Sequence, residues 1–149
     1  MVSRGAYCLC ITVDEDIDIE VGALGMMVFP RGLYVYIGSA LKGLEARILR
    51  HVETSRGVRN VTRWHIDYLL REPEVHIESV HLRVTDERVE CTLAGEVFSR
   101  GEPVRGFGCS DCRCTSHLFG VRGFGFLSEL GLEKWPLDNR ATQGDCFGS

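Results

Sequence analysis

The fold is decided by residues 34–51, which read YVYIGSALKGLEARILRH. An apolar strand ends at Gly38, and a short helix follows it. On that helix Arg47, Arg50 and His51 stand at i, i+3 and i+4, so their side chains share one face. Gly38 permits a turn without a Cβ conflict, and the helix N-terminus adds positive potential, so this stretch is suited to bind a phosphate group.

A second tyrosine stands near the start of the chain. Residues 7–13 are almost wholly apolar and predict a buried strand that begins with Tyr7, directly after Gly5 and Ala6. If the strand that begins with Tyr7 lies beside the strand that carries Tyr36, two phenols, two guanidiniums and an imidazole converge on one site.

These motifs resemble those of the GIY-YIG nuclease superfamily. Gly5-Ala6-Tyr7 corresponds to its first motif, with Ala in the middle, and Tyr36-Ile37-Gly38 is its second motif unaltered. The resemblance implies that Tyr7, Tyr36 and Arg47 are catalytic. It also implies a role for His51, since the family often carries a histidine shortly after that arginine.

A closer resemblance, to the mainly archaeal branch called Uri superfamily endonucleases, covers most of the chain. It is carried by the motifs VGALG, FP, YVYIGSA, WHIDYLL and GFGCSDCRC at residues 21–25, 29–30, 34–40, 64–70 and 106–114. It implies a metal-dependent endonuclease that acts in repair or processing. DNA is favoured over RNA as the substrate, and Mg²⁺ or Mn²⁺ is the implied cofactor.

Length and cysteine content narrow the class of protein. A chain of 149 residues suits one domain, residues 1–149, with residues 135–149 as a loosely ordered tail. No apolar run approaches the roughly 20 residues that span a bilayer, and no leader is expected. Seven cysteines form no even framework, so reduced thiols or a metal site fit better than disulfides. These features predict a cytoplasmic protein without a membrane partner.

Charge is unevenly distributed along the chain. The net charge of −4 argues against a protein that coats nucleic acid nonspecifically. Residues 31–63, however, carry seven basic and two acidic side chains, whereas residues 14–20 carry five acidic ones. The cations therefore cluster around the proposed site, as binding of nucleic acid requires.

The apolar patterns predict a small α/β (α+β) sandwich in which helices flank a mixed or antiparallel central sheet. The predicted strands are 7–13, 17–21, 25–29, 33–38 and 75–84, and the predicted helices are 44–53, 64–70 and one ending at residue 100. Pro30 and Gly32 suit a tight turn, which would make a hairpin of the third and fourth strands. Thr62 and Asp86 are expected to cap the second and third helices.

Glu90 lies on the third predicted helix in line with Leu93 and Val97, so its carboxylate projects from the apolar face of the helix rather than from the solvent-exposed face. A first-turn glutamate favoured by the helix dipole is the simpler alternative. The resemblance implies that Glu90 holds the divalent metal, because relatives carry a glutamate on the equivalent helix and Mg²⁺ or Mn²⁺ prefers oxygen ligands. Glu87 and Glu96 are the alternatives if the helix register differs.

Arg47 is suited to clamp the scissile phosphate, because a planar bidentate donor stabilises the charge that develops in the transition state. Tyr7 and Tyr36 can instead be ordinary core aromatics, and an unperturbed phenol needs neighbouring cations before it serves as a general base. Tyr34 projects to the same face as Tyr36 and is its alternative. The residues expected to contact the substrate are Gly38, Ser39, Lys42 and Arg50.

A group of soft ligands lies within nine residues. Its members are Cys109, Cys112, Cys114 and His117, enough for a tetrahedral zinc site. The cysteines can also be apolar fillers of a tight turn. A nucleophilic pair of His117 with Cys109 or Cys112 is a third interpretation, although no residue can be assigned to orient the histidine.

Two further assignments stay open. His51 can orient a tyrosine or shuttle a proton, or it can merely cap the end of its helix. Trp64, His65 and Asp67 form a polar and aromatic set that can stack on a base, although a capped amphipathic helix explains most of the pattern.

One departure from the superfamily affects the functional hypothesis. Many relatives carry an asparagine after a Pro-x-Tyr turn, and no such turn follows Glu90. Ser110, Ser116 or His117 is the candidate substitute. This departure and the acidic net charge support an alternative function, a nucleic-acid-binding or zinc-binding module that keeps the fold without cleaving. A zinc hydrolase that acts on another substrate is a third hypothesis.

Overall fold

Eight strands and three α-helices lie in the part of the chain that the structure, a computed structural model, describes: residues 3–109 and 113–136. The strands are β1 (Gly5–Val13), β2 (Ile17–Glu20), β3 (Met26–Phe29), β4 (Gly32–Ala40), β5 (Val75–Val84), β6 (Glu102–Pro103), β7 (Leu118–Val121) and β8 (Glu133–Trp135). The helices are α1 (Leu44–Ser55), α2 (His65–Leu70) and α3 (Glu90–Phe98), with 3₁₀ turns at Gly22–Leu24 and Gly125–Leu130.

Six of these strands form one antiparallel sheet in the order β6-β7-β4-β1-β5-β8, while β2 and β3 pair separately. β1 lies inside the sheet between β4 and β5, with a β-bulge after Cys10 on the β5 side. The predicted α+β class with a central sheet and flanking helices is confirmed. The range predicted for β5 is the observed one.

Both faces of the sheet are covered, and this explains why β1 is apolar at nearly every position. Alternate residues such as Leu9 and Ile11 pack in the cluster that includes residues of α1 and α2. The intervening Cys8 and Cys10 pack in the cluster that includes α3. A strand with two buried faces cannot show the apolar and polar alternation of a half-exposed strand.

The predicted hairpin of β3 and β4 is wrong. β3 pairs with β2, and the turn after Pro30 carries the chain from this small sheet into the central one, where β4 pairs with β1 and β7. Turn residues signal that the chain reverses, but they do not decide which partner each strand takes. The acidic side chains around β2 are exposed, as predicted.

The predicted caps of two helices, Thr62 and Asp86, are wrong. α2 begins at His65, and Asp67 rather than Thr62 serves its end by accepting the backbone N–H groups of Arg63 and Trp64 at 2.8 and 2.9 Å. α3 begins at Glu90, whereas Asp86 precedes it and pairs with Arg4 at 3.3 Å. Carboxylates that cap helices from inside the first turn look, in sequence, like any amphipathic helix residue.

The C-terminal region is described only in part. Trp135, within the predicted tail, belongs to β8 and pairs with Val80 of β5. Residues 137–149 lie outside the described residues. Among the described helices, none combines the length and the apolar character that crossing a membrane requires.

Gly38 lies inside β4 and does not form the turn that the sequence suggested. It stands directly opposite Tyr7 of β1, and a Cβ added to Gly38 would collide with the ring and hydroxyl of Tyr7. The glycine is therefore required for the close approach of an aromatic ring rather than for backbone reversal.

We expect Gly38→Ala to lower the free energy of unfolding by about 1–3 kcal/mol, because the overpacked Tyr7 ring must leave its position. Urea denaturation followed by circular dichroism measures this change. Gly123→Ala is the control, since a Cβ there meets nothing within 4 Å among the described residues. Equal stability of the two variants would contradict the packing described for Tyr7.

Candidate active site

A cleft of about 580 Å³ opens where the ends of β1 and β4 meet α1, α3 and the segment before β7. The five residues predicted to be catalytic all line it: Tyr7, Tyr36, Arg47, His51 and Glu90. Of the four residues predicted to contact substrate, Gly38 and Ser39 line the cleft, whereas Lys42 and Arg50 do not. Segments far apart in the chain are thus brought together at one end of the sheet.

Tyr7 and His51 form a buried hydrogen-bonded pair, with 2.7 Å between the phenolic oxygen and Nε2. Burial, followed by the charges of Arg47 and Arg50, lowers the pKa of His51 to about 3, so the imidazole is neutral. Burial raises the pKa of Tyr7 above its usual value, although Arg47 opposes this effect. The pair therefore holds one shared hydrogen bond between two neutral groups, and His51 is more than a cap at the end of α1.

The ring of Tyr36 lies edge-on to His51, with 6.2 Å between centroids. Burial raises the pKa of Tyr36 well above its usual value, and Tyr7 adds to this effect. Gly108, at φ +76°, packs against Tyr36, since a Cβ there would lie 3.3 Å from the ring. Tyr34 is not an alternative to Tyr36, because its hydroxyl donates to the carbonyl of Pro30 and it does not line the cleft.

Glu90 is the first residue of α3, and both its carboxylate oxygens have partners. The hydroxyl of Ser39 donates to Oε1, and Nδ1 of His117 lies 2.6 Å from Oε2. Burial by itself raises the pKa of Glu90, but the hydrogen bonds from His117 and Ser39 outweigh it and the net pKa is lowered. The carboxylate is therefore ionised at neutral pH, with 29% of the side chain exposed to the cleft.

Arg47 reaches the cleft from α1 and is held by two contacts. Its Nη1 donates to the carbonyl of Ser39 at 3.1 Å, and its guanidinium carbon lies 4.5 Å from the ring centroid of Trp64. The guanidinium of Arg50 lies 4.2 Å from the same centroid, and that of Arg63 lies 5.3 Å from it. Trp64 thus gathers three cations beside the cleft.

Asp67 holds this group of cations in place. It is fully buried, and besides holding the backbone of Trp64 its Oδ2 lies 3.5 Å from Nη2 of Arg50. A buried carboxylate needs such a partner, since an isolated charge is costly to desolvate. Sequence reasoning offered base stacking or a capped amphipathic helix for Trp64, His65 and Asp67. The structure agrees with the capped helix, since Asp67 accepts two backbone N–H groups at its start, and adds the positioning of arginines by Trp64, which sequence reasoning missed.

The residues present fit a hard divalent cation at Glu90. An ionised carboxylate that faces an open cleft suffices for Mg²⁺ or Mn²⁺, which keeps several waters and takes further oxygens from a phosphate. The two alternatives are less suited. Glu96 is exposed on α3 and does not line the cleft, whereas Glu87 lines the cleft but is exposed and precedes the helix.

The predicted zinc ligands are only partly brought together. The ligand atoms of Cys114 and His117 lie within 4.8 Å of each other and of Cys91, a residue that sequence reasoning did not consider. Cys109 is outside this group, with its thiol donating to the carbonyl of Phe107 at 3.5 Å, and Cys112 lies outside the described residues. Cys91 was missed because it comes from α3 rather than from the cysteine-rich segment.

The structure also distinguishes among the residues considered as substitutes for the asparagine that many GIY-YIG relatives carry. His117 contacts the carboxylate of Glu90, whereas the hydroxyl of Ser116 is occupied by the backbone of Leu118. Ser110 lies outside the described residues. His117 is therefore the one of the two described candidates that reaches the acidic group of the cleft.

Comparison with protein families gives one match. A family model described as a domain of unknown function, DUF123, matches residues 6–129, which include every described residue of the cleft from Ala6 to His117. Neither the curated proteins nor the solved structures gave a match.

The neutral state of His51 predicts how stability responds to acid. In the unfolded chain His51 takes up a proton near its ordinary pKa of 6.5, whereas in the folded chain it does so only near 3. The unfolded state thus binds more protons between these values, and the free energy of unfolding falls as pH falls through this range, by up to about 1.4 kcal/mol per pH unit. Above pH 6.5 His51 is neutral in the folded and in the unfolded chain, so its titration no longer lowers the free energy of unfolding.

Urea denaturation of the wild type and of His51→Gln at pH 7, 5.5 and 4.5 tests this linkage. The variant retains a hydrogen-bonding side chain but cannot titrate, so we expect its stability to fall less steeply with acid. His76 and its partner Asp14 are unchanged in both proteins, so their contribution cancels in this comparison. Parallel curves for wild type and His51→Gln would show that His51 is not held neutral.

Proposed function

Because the chain belongs to the DUF123 family, whose description assigns no activity, we propose its function from the geometry of the cleft: it is a metal-dependent endonuclease that cleaves DNA. The observation that carries the proposal is the convergence of Tyr7, Tyr36, Arg47, His51 and Glu90 in one cleft, from the two strands β1 and β4 and the two helices α1 and α3. This is the residue set that the resemblance to GIY-YIG nucleases implies, and that resemblance supports a place for the chain near the Uri branch.

Arg47 provides the contact for the scissile phosphate. One of its donors binds the carbonyl of Ser39, and Arg47 lines the cleft, where its planar guanidinium can bind phosphate oxygens. Its stacking on Trp64 orients the plane before substrate arrives, so less conformational freedom is lost on binding.

Tyr7 and His51 serve as the relay that removes a proton from the attacking water. Burial is the main cause of the low pKa of His51, and a phosphate beside Arg47 would offset the smaller part that comes from the charge of Arg47, so the imidazole becomes a better base when substrate is bound. The phenolic oxygen of Tyr7 can then accept the proton of water while its own proton passes to Nε2, 2.7 Å away. The hydroxyl of Tyr36 remains protonated and donates to a phosphate oxygen.

Glu90 would hold the metal, with Ser39 and His117 fixing the orientation of its carboxylate. Bound Mg²⁺ or Mn²⁺ supplies Lewis-acid stabilisation of the charge that develops on phosphate oxygens. The short hydrogen-bonded contacts of Glu90 keep the carboxylate ionised for this purpose. Arginines on the rim, among them Arg63 and Arg88, add attraction for the nucleic acid backbone.

Cleavage of supercoiled plasmid and of branched or flapped oligonucleotides with Mg²⁺, Mn²⁺ or EDTA tests the proposal. We expect metal-dependent cutting that falls about 10²–10³-fold in Arg47→Ala and in Glu90→Gln, because each change removes a charge that the transition state requires. The matched controls are Arg122→Ala and Glu96→Gln, at exposed positions outside the cleft. These should keep wild-type activity.

Three other outcomes would contradict the proposal or correct it. Full activity in Arg47→Ala combined with Glu90→Gln would show that the cleft is not the catalytic site. Salt-sensitive binding of DNA without turnover under any metal would support the alternative of a non-catalytic binding module. Cleavage of RNA in preference to DNA would correct the substrate class. A cytoplasmic location stays a prediction from the cysteine content.

Trp64 is proposed as a positioning residue for the arginines. We expect Trp64→Leu to lower kcat/KM by roughly 5- to 30-fold, since a cation–π contact contributes about 1–2 kcal/mol. Trp64→Phe keeps an aromatic face and should restore most of the activity, which a merely structural loss of volume would not explain. Urea denaturation of both variants separates loss of stability from loss of arginine orientation. Equal activity of the two variants would refute the role.

A further inference from the structure

Three soft ligands meet beside the cleft. Cys91 stands in the first turn of α3, and Cys114 and His117 lie just before β7. One ligand atom from each lies within 4.8 Å of the other two. In a tetrahedral site with Zn–S bonds of 2.3 Å, two sulfurs stand about 3.7 Å apart, so a change of roughly 1 Å brings the group to binding distance. The side chain of Cys91 is exposed and free to rotate that far.

From this geometry we propose that Cys91, Cys114 and His117 bind a zinc ion at the edge of the cleft. Two thiolates and an imidazole favour Zn²⁺ over Mg²⁺ or Mn²⁺, which take oxygen ligands. On binding, the two thiol protons pass to solvent. A water molecule completes the four-coordinate site. The proposal does not depend on whether the cleft cleaves DNA.

The orientation of His117 supports a metal site. Its backbone is fixed on both sides, because its N–H donates to the carbonyl of Phe107 and its carbonyl accepts the N–H of Ile37, each at 2.8 Å. Its Nδ1 faces Oε2 of Glu90 at 2.6 Å, which assigns Nε2 to the metal. Histidines that bind metals usually donate their other ring N–H to a carboxylate, and this contact sets the tautomer and strengthens the ligand.

The site would join two parts of the cleft wall that are distant in sequence. Cys91 adjoins Glu90 at the start of α3, and His117 approaches Glu90 from the segment before β7. Zinc would hold these two segments together and keep His117 against the carboxylate. It would thereby support the wall of the cleft next to the proposed catalytic metal, and the two sites differ in ligand chemistry.

The full chain, purified without a histidine tag and under reducing conditions, tests the proposal by metal analysis. We expect about one equivalent of zinc per chain, lost in Cys91→Ser and in Cys114→Ser. Cys109→Ser should retain it, since Cys109 lies outside the group and its thiol donates to Phe107. Exposed Cys91 tolerates serine without loss of packing, so the variant should fold. Circular dichroism confirms this.

Replacement of zinc by Co²⁺ gives a second measurement. The thiolate-to-cobalt absorption should be present in wild type and Cys109→Ser, and weaker in Cys91→Ser. Glu90→Gln should keep the two thiolates but weaken metal affinity by about 10- to 100-fold, because the orienting carboxylate is lost. Unchanged affinity in Glu90→Gln would contradict the assignment of Nε2.

Three results would overturn the site. They are failure of the reduced protein to take up zinc, loss of zinc in Cys109→Ser with retention in Cys91→Ser, and a disulfide between Cys91 and Cys114 in the protein as isolated. None of these measurements uses a nucleic acid substrate. The zinc site and the endonuclease can therefore fail independently.

Discussion

The cleft depends on the packing of the Tyr7 ring over Gly38 and on its hydrogen bond to His51. These contacts tie the interior strand β1 to β4 and to α1, so the position of the helix is set by the sheet. Burial of the pair keeps both groups neutral. The same burial keeps Tyr7 protonated and makes His51 a weak base in the free protein.

Two acids organise the charged groups around this pair. Asp67 is fully buried, holds the backbone of Trp64 and pairs with Arg50, so Trp64 is placed to carry the guanidinium of Arg47. Glu90, partly exposed, is held by Ser39 and His117. The first acid pairs with Arg50 from the protein interior, whereas the second keeps its negative charge available at the cleft. Their different burial separates a positioning role from the proposed metal-binding one.

Periodicity predicted the features of the fold that do not depend on contacts with distant segments of the chain. The bounds of β5 and the shared face of Arg47 and His51 follow from local spacing, which any fold must respect. The hairpin of β3 and β4 was wrong because strand pairing is decided by long-range contacts rather than by the turn. The strands β6, β7 and β8 were not predicted, and β6 and β8 have only two and three residues, too few for a readable period.

The sequence by itself determined the α+β class, the apolar strands and the candidate residues from Tyr7 to Glu90, because side-chain type and spacing are local properties. Only the tertiary structure decided that Gly38 makes room for Tyr7, that His117 meets Glu90, and that Cys91 replaces Cys109 among the soft ligands. Each of these contacts joins segments far apart in the chain. Their distances come from how helices pack on both faces of one sheet, which no local pattern encodes.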